Sequence, residues 1–175
     1  MGSRSVNREI VVKPIGVVHT PFSDEGVKDS LCGVEGFIEV SDGFDEGLEA
    51  IEGFSHIIVV AFLDRVTGEQ RRVLKVRFRR LLRFGVKPEE LPEVGVFCSD
   101  SPHRPNPIAI SIVELKKREG PLLHVKGLDL FEGTPVLDLK PYTPDRMIQK
   151  TRLPRWYEEL ERKVAERTGV ENPRL

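Results

Sequence analysis

The sequence predicts a mainly β protein: a single antiparallel, barrel-like domain with a few short helices and a C-terminal helix. Three observations lead there. Short apolar or alternating runs recur along the chain, separated by turns rich in glycine, proline and aspartate, which is the pattern of a closed or nearly closed all-β architecture. Helical periodicity stands out in only two places. No GxGxxG follows a strand and opens a helix, and strands do not alternate regularly with helices, which disfavours a doubly wound dinucleotide-binding fold. A length of 175 residues suits one domain, or one domain with a terminal extension. The expected divisions are a frayed segment over 1–9, a β-barrel domain over 10–145 and a helical extension over 146–175.

The elements follow from local pattern. "IVVKPIGVVHTPF" holds two β-branched runs interrupted at Pro14, with Pro21 ending the second; it reads as an edge strand or the start of a barrel. "SDEGVKDSLCGVEG" reads as a loop and "FIEV" as a short strand. "SDGFDEGLEAIEGF" carries a helix signal: Ser41 or Asp42 as cap, acids in the first turn, and Phe44, Leu48 and Ile51 on one face. "HIIVVAFL" is a continuous apolar run of strand length, expected to be buried on both faces. "VLKVRFRR" sets Leu74, Val76 and Phe78 against Lys75, Arg77 and Arg79, a half-buried strand with one basic face. "GVKPEELPEVG" is a loop and "VGVFCS" a strand. "IAISIVEL" alternates Ile108, Ile110 and Ile112 with the smaller Ala109, Ser111 and Val113. Two more strands flank a turn at Glu132-Gly133. From Pro154 a helix is expected, with Trp156, Leu160, Val164 and Ala165 on one side and Gly169 past its end.

Composition narrows the function classes. The formal net charge is −1, so no global electrostatic pull toward nucleic acid or anionic membrane exists, and any polyanion must meet a local patch. "QRRVLKVRFRR" is such a patch, readable as a solvated surface or as an RNA contact. No apolar run approaches the roughly 20 residues needed to span a bilayer, and nothing resembles a signal peptide; no membrane partner and a cytoplasmic location are expected. Cys32 and Cys98 form no CxxC and read as small buried hydrophobes. Neither a nucleophile elbow nor a metal-ligand spacing occurs, which disfavours a hydrolase and leaves no metal site expected.

The most loaded stretch is "DSPHRPNPIAIS" at residues 100–111. Proline fixes its own φ, donates no N–H, and pushes the preceding residue out of the helical region. Ser101, Arg104 and Asn106 all precede prolines, so an extended segment close to polyproline II is expected, presenting carbonyls and the side chains of His103, Arg104 and Asn106. A rigid connection whose Asn106 caps a turn is the alternative. The second stretch, "GLDLFEGTPVLDLKPY", places Asp129 after a strand and Asp138, Lys140 and Tyr142 on one face of the next. Carboxylates there suit ribose hydroxyls or base catalysis; a salt-bridged hairpin reads equally well.

Four segments in order, "KPIGVVHTPF", "GFSHIIVVAFLDR", "GVFCSDSPHRPNPIAIS" and "GLDLFEGTPVLDLKPY", resemble the TsaA-like/TrmO family over about Ile10 to Tyr142. The resemblance implies a barrel-like, non-Rossmann fold that binds S-adenosylmethionine, usually as a homodimer, and methylates N6 of threonylcarbamoyl-adenosine in tRNA. By position it implies cofactor contacts at Lys28, Asp29 and Ser30, at Asp64 and Arg65, at Asp100 and Ile110, and at Gly127, Leu128, Asp129 and Leu130. Two departures stand out. Asp100 replaces the family's common arginine and Ala109 its glycine. An anion in place of a cation reverses the local field; Asp100 could draw the sulfonium or amino group.

Methyl transfer from a sulfonium is an in-line displacement with an activated donor, so alignment and water exclusion dominate. Arg104 and Asn106 are the candidates for holding loop and substrate, and Asp129 for the cofactor's amino or ribose groups. Asp138, Lys140, Tyr142 and His103 are the catalytic candidates on the acceptor side. Tyr142 is suited to stacking on a base. Two other readings remain: a cofactor-binding sensor without tRNA methylation, favoured by Asp100, and a small-molecule methyltransferase, favoured by the near-neutral charge.

Overall fold

Side chains alternating at period two let six strands roll up around an aliphatic interior. The computed structural model describes residues 9–175; all of the expected frayed segment except Glu9 lies outside the described residues. The elements are β1 (Gly16–His19), α1 (Asp24–Asp29), β2 (Val34–Val40), β3 (His56–Phe62), β4 (Lys75–Arg77), β5 (Glu93–Gly95), β6 (Ile108–Glu119), β7 (Leu122–Leu128), β8 (Pro135–Pro141) and α2 (Arg155–Thr168). The barrel closes in the order β1-β2-β7-β6-β3-β8, every neighbouring pair antiparallel, while β4 and β5 form a separate two-stranded sheet.

Val18, Ile38, Ile57, Val59, Val113, Leu123 and Val136 are wholly withdrawn from solvent inside the ring. A second, smaller core lies beside it: Leu31, Leu81, Val86 and Leu91 receive Leu160 and Val164 of α2, with Phe78, Phe84, Val170 and Leu175 at its margin. The proline-rich segment connects the small sheet to β6. It is built from tight turns rather than a uniform extended run: Arg104 N–H donates to Pro102 O at 2.9 Å and Ile108 N–H to Asn106 O at 2.8 Å. Proline fixes its own φ near the value such a turn needs but leaves its own ψ free, so Pro107 can sit at the centre of a three-residue turn.

Several local expectations give way. The segment at 41–54 holds only a 3-10 turn over Asp45–Leu48; Gly47 and Gly53 weaken a helix, and Ala50 at φ 62° turns the chain away. The expected loop at 23–36 contains α1, whose first turn is capped by Ser23 Oγ accepting from Gly26 N–H at 3.2 Å. "VGVFCS" is a strand only up to Gly95, and Val96–Cys98 turns. "VLKVRFRR" pairs only over Lys75–Arg77, leaving Leu74 61% exposed. The β-branched run Ile10–Val12 before Pro14 is exposed and unpaired with the barrel. In β3 one face is buried and the other half-buried. Both cysteines are free and exposed: Cys32 and Cys98 sit on connecting segments, not in the apolar cores.

Candidate functional site

One end of the barrel collects most of the residues singled out above. Its floor is a backbone contact between the loop before β2 and the end of β7. A Cβ on Gly33 would lie 2.4 Å from the Gly127 carbonyl carbon, and both residues have positive φ, 77° and 90°. Only glycine satisfies both conditions. Ser30 Oγ donates to Gly33 O at 2.8 Å and holds the loop closed. Leu128 and Leu130 point into the core, 0% and 2% exposed, so only their backbone is available to a ligand. Asp129 between them is exposed. Ser111, buried on β6, donates its hydroxyl proton to Asp129 Oδ1.

The opposite rim comes from α1 and the end of β3. Lys28 Nζ and the Arg65 guanidinium sit 5.5 and 5.6 Å from the centre of the Phe131 ring, within cation–π range. Arg65 donates to Asp24 Oδ2 at 2.8 Å and to Glu132 O at 2.7 Å, tying α1 to the β7–β8 turn. Asp64 is exposed beside it. Leu63 N–H donates to Pro107 O at 2.8 Å, so the end of the proline segment is fastened next to Asp64 and Arg65. Lys28–Ser30, Asp64–Arg65, the entry to β6 and Gly127–Leu130 are therefore brought to one place.

Four residues essential to this arrangement escaped the sequence reading. Arg80 donates from Nε to Lys28 O at 2.8 Å and from Nη2 to Ser30 O, holding the end of α1 from below. Burial pushes its pKa down and Arg174 and Arg83 add to this, against Asp129 and Asp29. Arg83 binds Asp29 Oδ1 at 2.7 Å and also Glu25; these carboxylates raise its pKa. Ser111 and Arg174 complete the set, the latter with Nη1 3.2 Å from Asp129 Oδ2. The arginine-rich run was the only signal for Arg80, and it read as a solvated surface or an RNA contact; Arg83 lies just past it.

The remaining candidates lie on the proline segment and on β6 and β8. Asp100 is exposed and close enough to α2 to raise the Tyr157 pKa, after burial and Glu161. Arg104 reaches Val96 O at 3.4 Å, His103 N–H donates to Ser101 Oγ at 3.3 Å, and Asn106 is exposed. Asp138 pairs with Lys140 at 2.5 Å on β8, and the Tyr142 ring meets His56 edge-on at 6.4 Å. Register places Asp138 and Ile110 on either side of Val60, two strand spacings or about 10 Å apart. Ile108, Ile110 and Ile112 face outward, 42%, 69% and 43% exposed.

A groove of 740 Å³ on the outer wall, reaching Glu132 of the β7–β8 turn, is lined by His19, Phe37, His124, Lys116 and Lys117. Its cations are matched by carboxylates: Lys116 by Glu114 at 2.9 Å, Lys117 by Glu119 at 2.7 Å, and His19 by Glu132 and Glu39.

Residues 17–146 match the family described as the tRNA-methyltransferase O N-terminal domain. A protein of Pyrococcus abyssi, described as a probable S-adenosyl-L-methionine-binding protein, is 40% identical over 140 residues, 78% of this chain and 70% of that one. A mouse tRNA (adenine(37)-N6)-methyltransferase is 39% identical over 101 residues, 58% of this chain but 21% of the mouse protein. The crystal structure of TrmO from Pseudomonas aeruginosa superposes with a TM-score of 0.63 at 28% identity, covering 83% of this chain and 61% of that one. The chain thus spans under two thirds of that structure's length. A family match across the whole barrel, joined to a relative alike over most of both chains, places this chain in the tRNA-methyltransferase O N-terminal domain family.

Proposed function

We propose that this protein binds S-adenosyl-L-methionine at the Asp129 end of the barrel and methylates N6 of an adenosine in tRNA, the threonylcarbamoyl-modified one. The observation that carries the reading is the meeting of Lys28–Ser30, Arg65 and Gly127–Leu130 around a solvent-facing carboxylate in a chain of this family. The residues present fit the cofactor. Asp129 offers acceptors to an ammonium or to ribose hydroxyls, the Gly33–Gly127 contact leaves bare backbone, and Ile110 offers an aliphatic face. The cofactor, when bound, supplies an activated methyl group. The chain's task is alignment: Arg80 and Ser30 hold the loop, and Arg65 fixes α1 against the β7–β8 turn. Asp138, steadied by Lys140, takes the proton released from N6; Tyr142 stacks on the base, and Arg104 and Asn106 steady the substrate.

The tRNA face is the strip from Arg71 to Arg79, where among the described residues Lys75 and Arg77 share one carboxylate, Glu93, at 3.9 and 3.7 Å. The outward isoleucines of β6, beside half-buried Ile58 and Val60, form an apolar face suited to a second copy, which supports a homodimer. The working division is a barrel unit over 10–145 with a helical extension over 146–175. A tRNA substrate supports a cytoplasmic location; among the described residues no helix is long and apolar enough to cross a membrane.

Asp100, exposed and anionic, favours one second reading, a cofactor-binding sensor. Incubation with labelled S-adenosylmethionine and bulk tRNA lacking the modification separates the two. Methylated threonylcarbamoyl-adenosine in the nucleoside digest is expected. Cofactor binding without transfer would favour the sensor, and absence of binding would overturn both. Replacing Arg72, Arg77 and Arg79 by glutamine should weaken tRNA binding and flatten its salt dependence by roughly one to three counter-ions.

A further inference from the structure

Arg174 lies beyond the family match, which ends at residue 146, yet its side chain stands at the centre of the candidate site. It is set there by the chain around it. Its N–H donates to Leu31 O at 3.3 Å, Pro173 before it is buried, and Leu175 after it packs on the second core. The guanidinium then lies against Asp129, with Nη1 3.2 Å from Oδ2.

This ion pair is incompletely made. Nη1 is buried but finds no well-aligned hydrogen-bond acceptor among the described residues, and Nη2 reaches Ile112 O only at 3.5 Å. Arg80 beside it, by contrast, spends its N–H groups on the carbonyls of Lys28 and Ser30. The side chains of Arg174 and Asp129 are 34% and 40% exposed, so both are reachable. Nη1 is closed to a ligand and Ser111 already donates to Asp129 Oδ1; the rest of the guanidinium and of the carboxylate faces solvent, and an anion and a cation held side by side match a zwitterion. An α-amino acid end has that chemistry: its ammonium requires the anion and its carboxylate the fork of N–H donors.

We propose that Asp129 and Arg174 together form the receptor for the α-amino-acid end of the cofactor, with Arg174 supplying the cation for its carboxylate. This rests on the cofactor site proposed above. Lys28 and Arg65 stand on the opposite rim against Phe131; Arg174 adds a cation directly beside Asp129. The apolar anchoring on either side of Arg174 makes it a wall of that pocket rather than a displaceable plug.

Calorimetry with two ligands tests this: S-adenosylhomocysteine, which carries the amino-acid end, and methylthioadenosine, which lacks it. Arg174→Ala should weaken S-adenosylhomocysteine by about tenfold or more, the scale of a lost charge-assisted hydrogen bond, while methylthioadenosine binds as before. Arg174→Lys should recover part of the loss. Equal losses for both ligands would show a merely structural residue, and an unchanged or tighter S-adenosylhomocysteine would show that Arg174 does not bind or that it competes; each overturns the inference. If the unaltered protein binds S-adenosylhomocysteine normally, the proposed cofactor site survives that failure. If it binds neither ligand, both fall.

Discussion

His19 is clasped through both ring nitrogens, by Glu132 at 2.8 Å and Glu39 at 2.9 Å, and its ring stacks on Phe37 at 4.9 Å. Burial works against its charge, but the two carboxylates outweigh that and raise its pKa above 6.5. Glu132 in turn is lowered, first by the Thr20 N–H and then by His19, against its own partial burial. The signs are opposite. The raised histidine stabilises the fold fully below about pH 6.5 and loses that contribution as pH rises through its folded pKa; the lowered glutamate contributes above about pH 4.5 and loses it as pH falls. Melting temperature should therefore decline above neutrality, and His19→Gln should flatten that decline while only shrinking the acid limb, which the Thr20 N–H sustains. At this scale legibility depended on neighbours in sequence. Asp129 and Arg65 stood out in their motifs, whereas Arg80, Ser111 and Arg174 act on partners 50, 18 and 62 positions away, and no local pattern marks such pairs.

The C-terminal helix shows what an element needs to be read from sequence. Its apolar stripe, the proline before it and Gly169 after it, in the left-handed conformation with its N–H on Ala165 O at 2.8 Å, are all local signals. The helix at 41–54 carried a similar stripe, but Gly47 and the positive φ of Ala50 decided otherwise, and six-residue α1 was too short for periodicity to register. What sequence does not disclose is where a helix docks. α2 rests on the turn at Arg79–Phe84, with Trp156 5.8 Å from Phe78, and Glu90 receives Lys163 at 3.2 Å and Arg167 at 2.9 Å. These contacts and the Lys87 N–H, which weighs most, hold the Glu90 carboxyl at about 2. Leu160 is 2% exposed, so Leu160→Ala should cost about 2–5 kcal/mol in urea unfolding and release the helix to proteolysis ahead of the barrel.

For the molecule as a whole, period two sufficed to predict a barrel, because alternating strands with no covering helices have few other ways to hide one face. The ring order, and which face of β6 turns inward, depended on registers that only the folded chain reveals. Small Ala109, Ser111 and Val113 face in and the isoleucines out. That outer face predicts a homodimer: Ile112→Asp should yield monomers in analytical ultracentrifugation, and a monomeric unaltered protein would refute the assignment. The ring is joined least firmly between β1 and β8, where only Gly16 with Val136 and Val17 with Pro135 are in register. These are the first and last strands of the barrel. Parting them unrolls the wall into an open sheet without passing any segment through another, so among the described residues closing the ring needs no threading, as with a clasp.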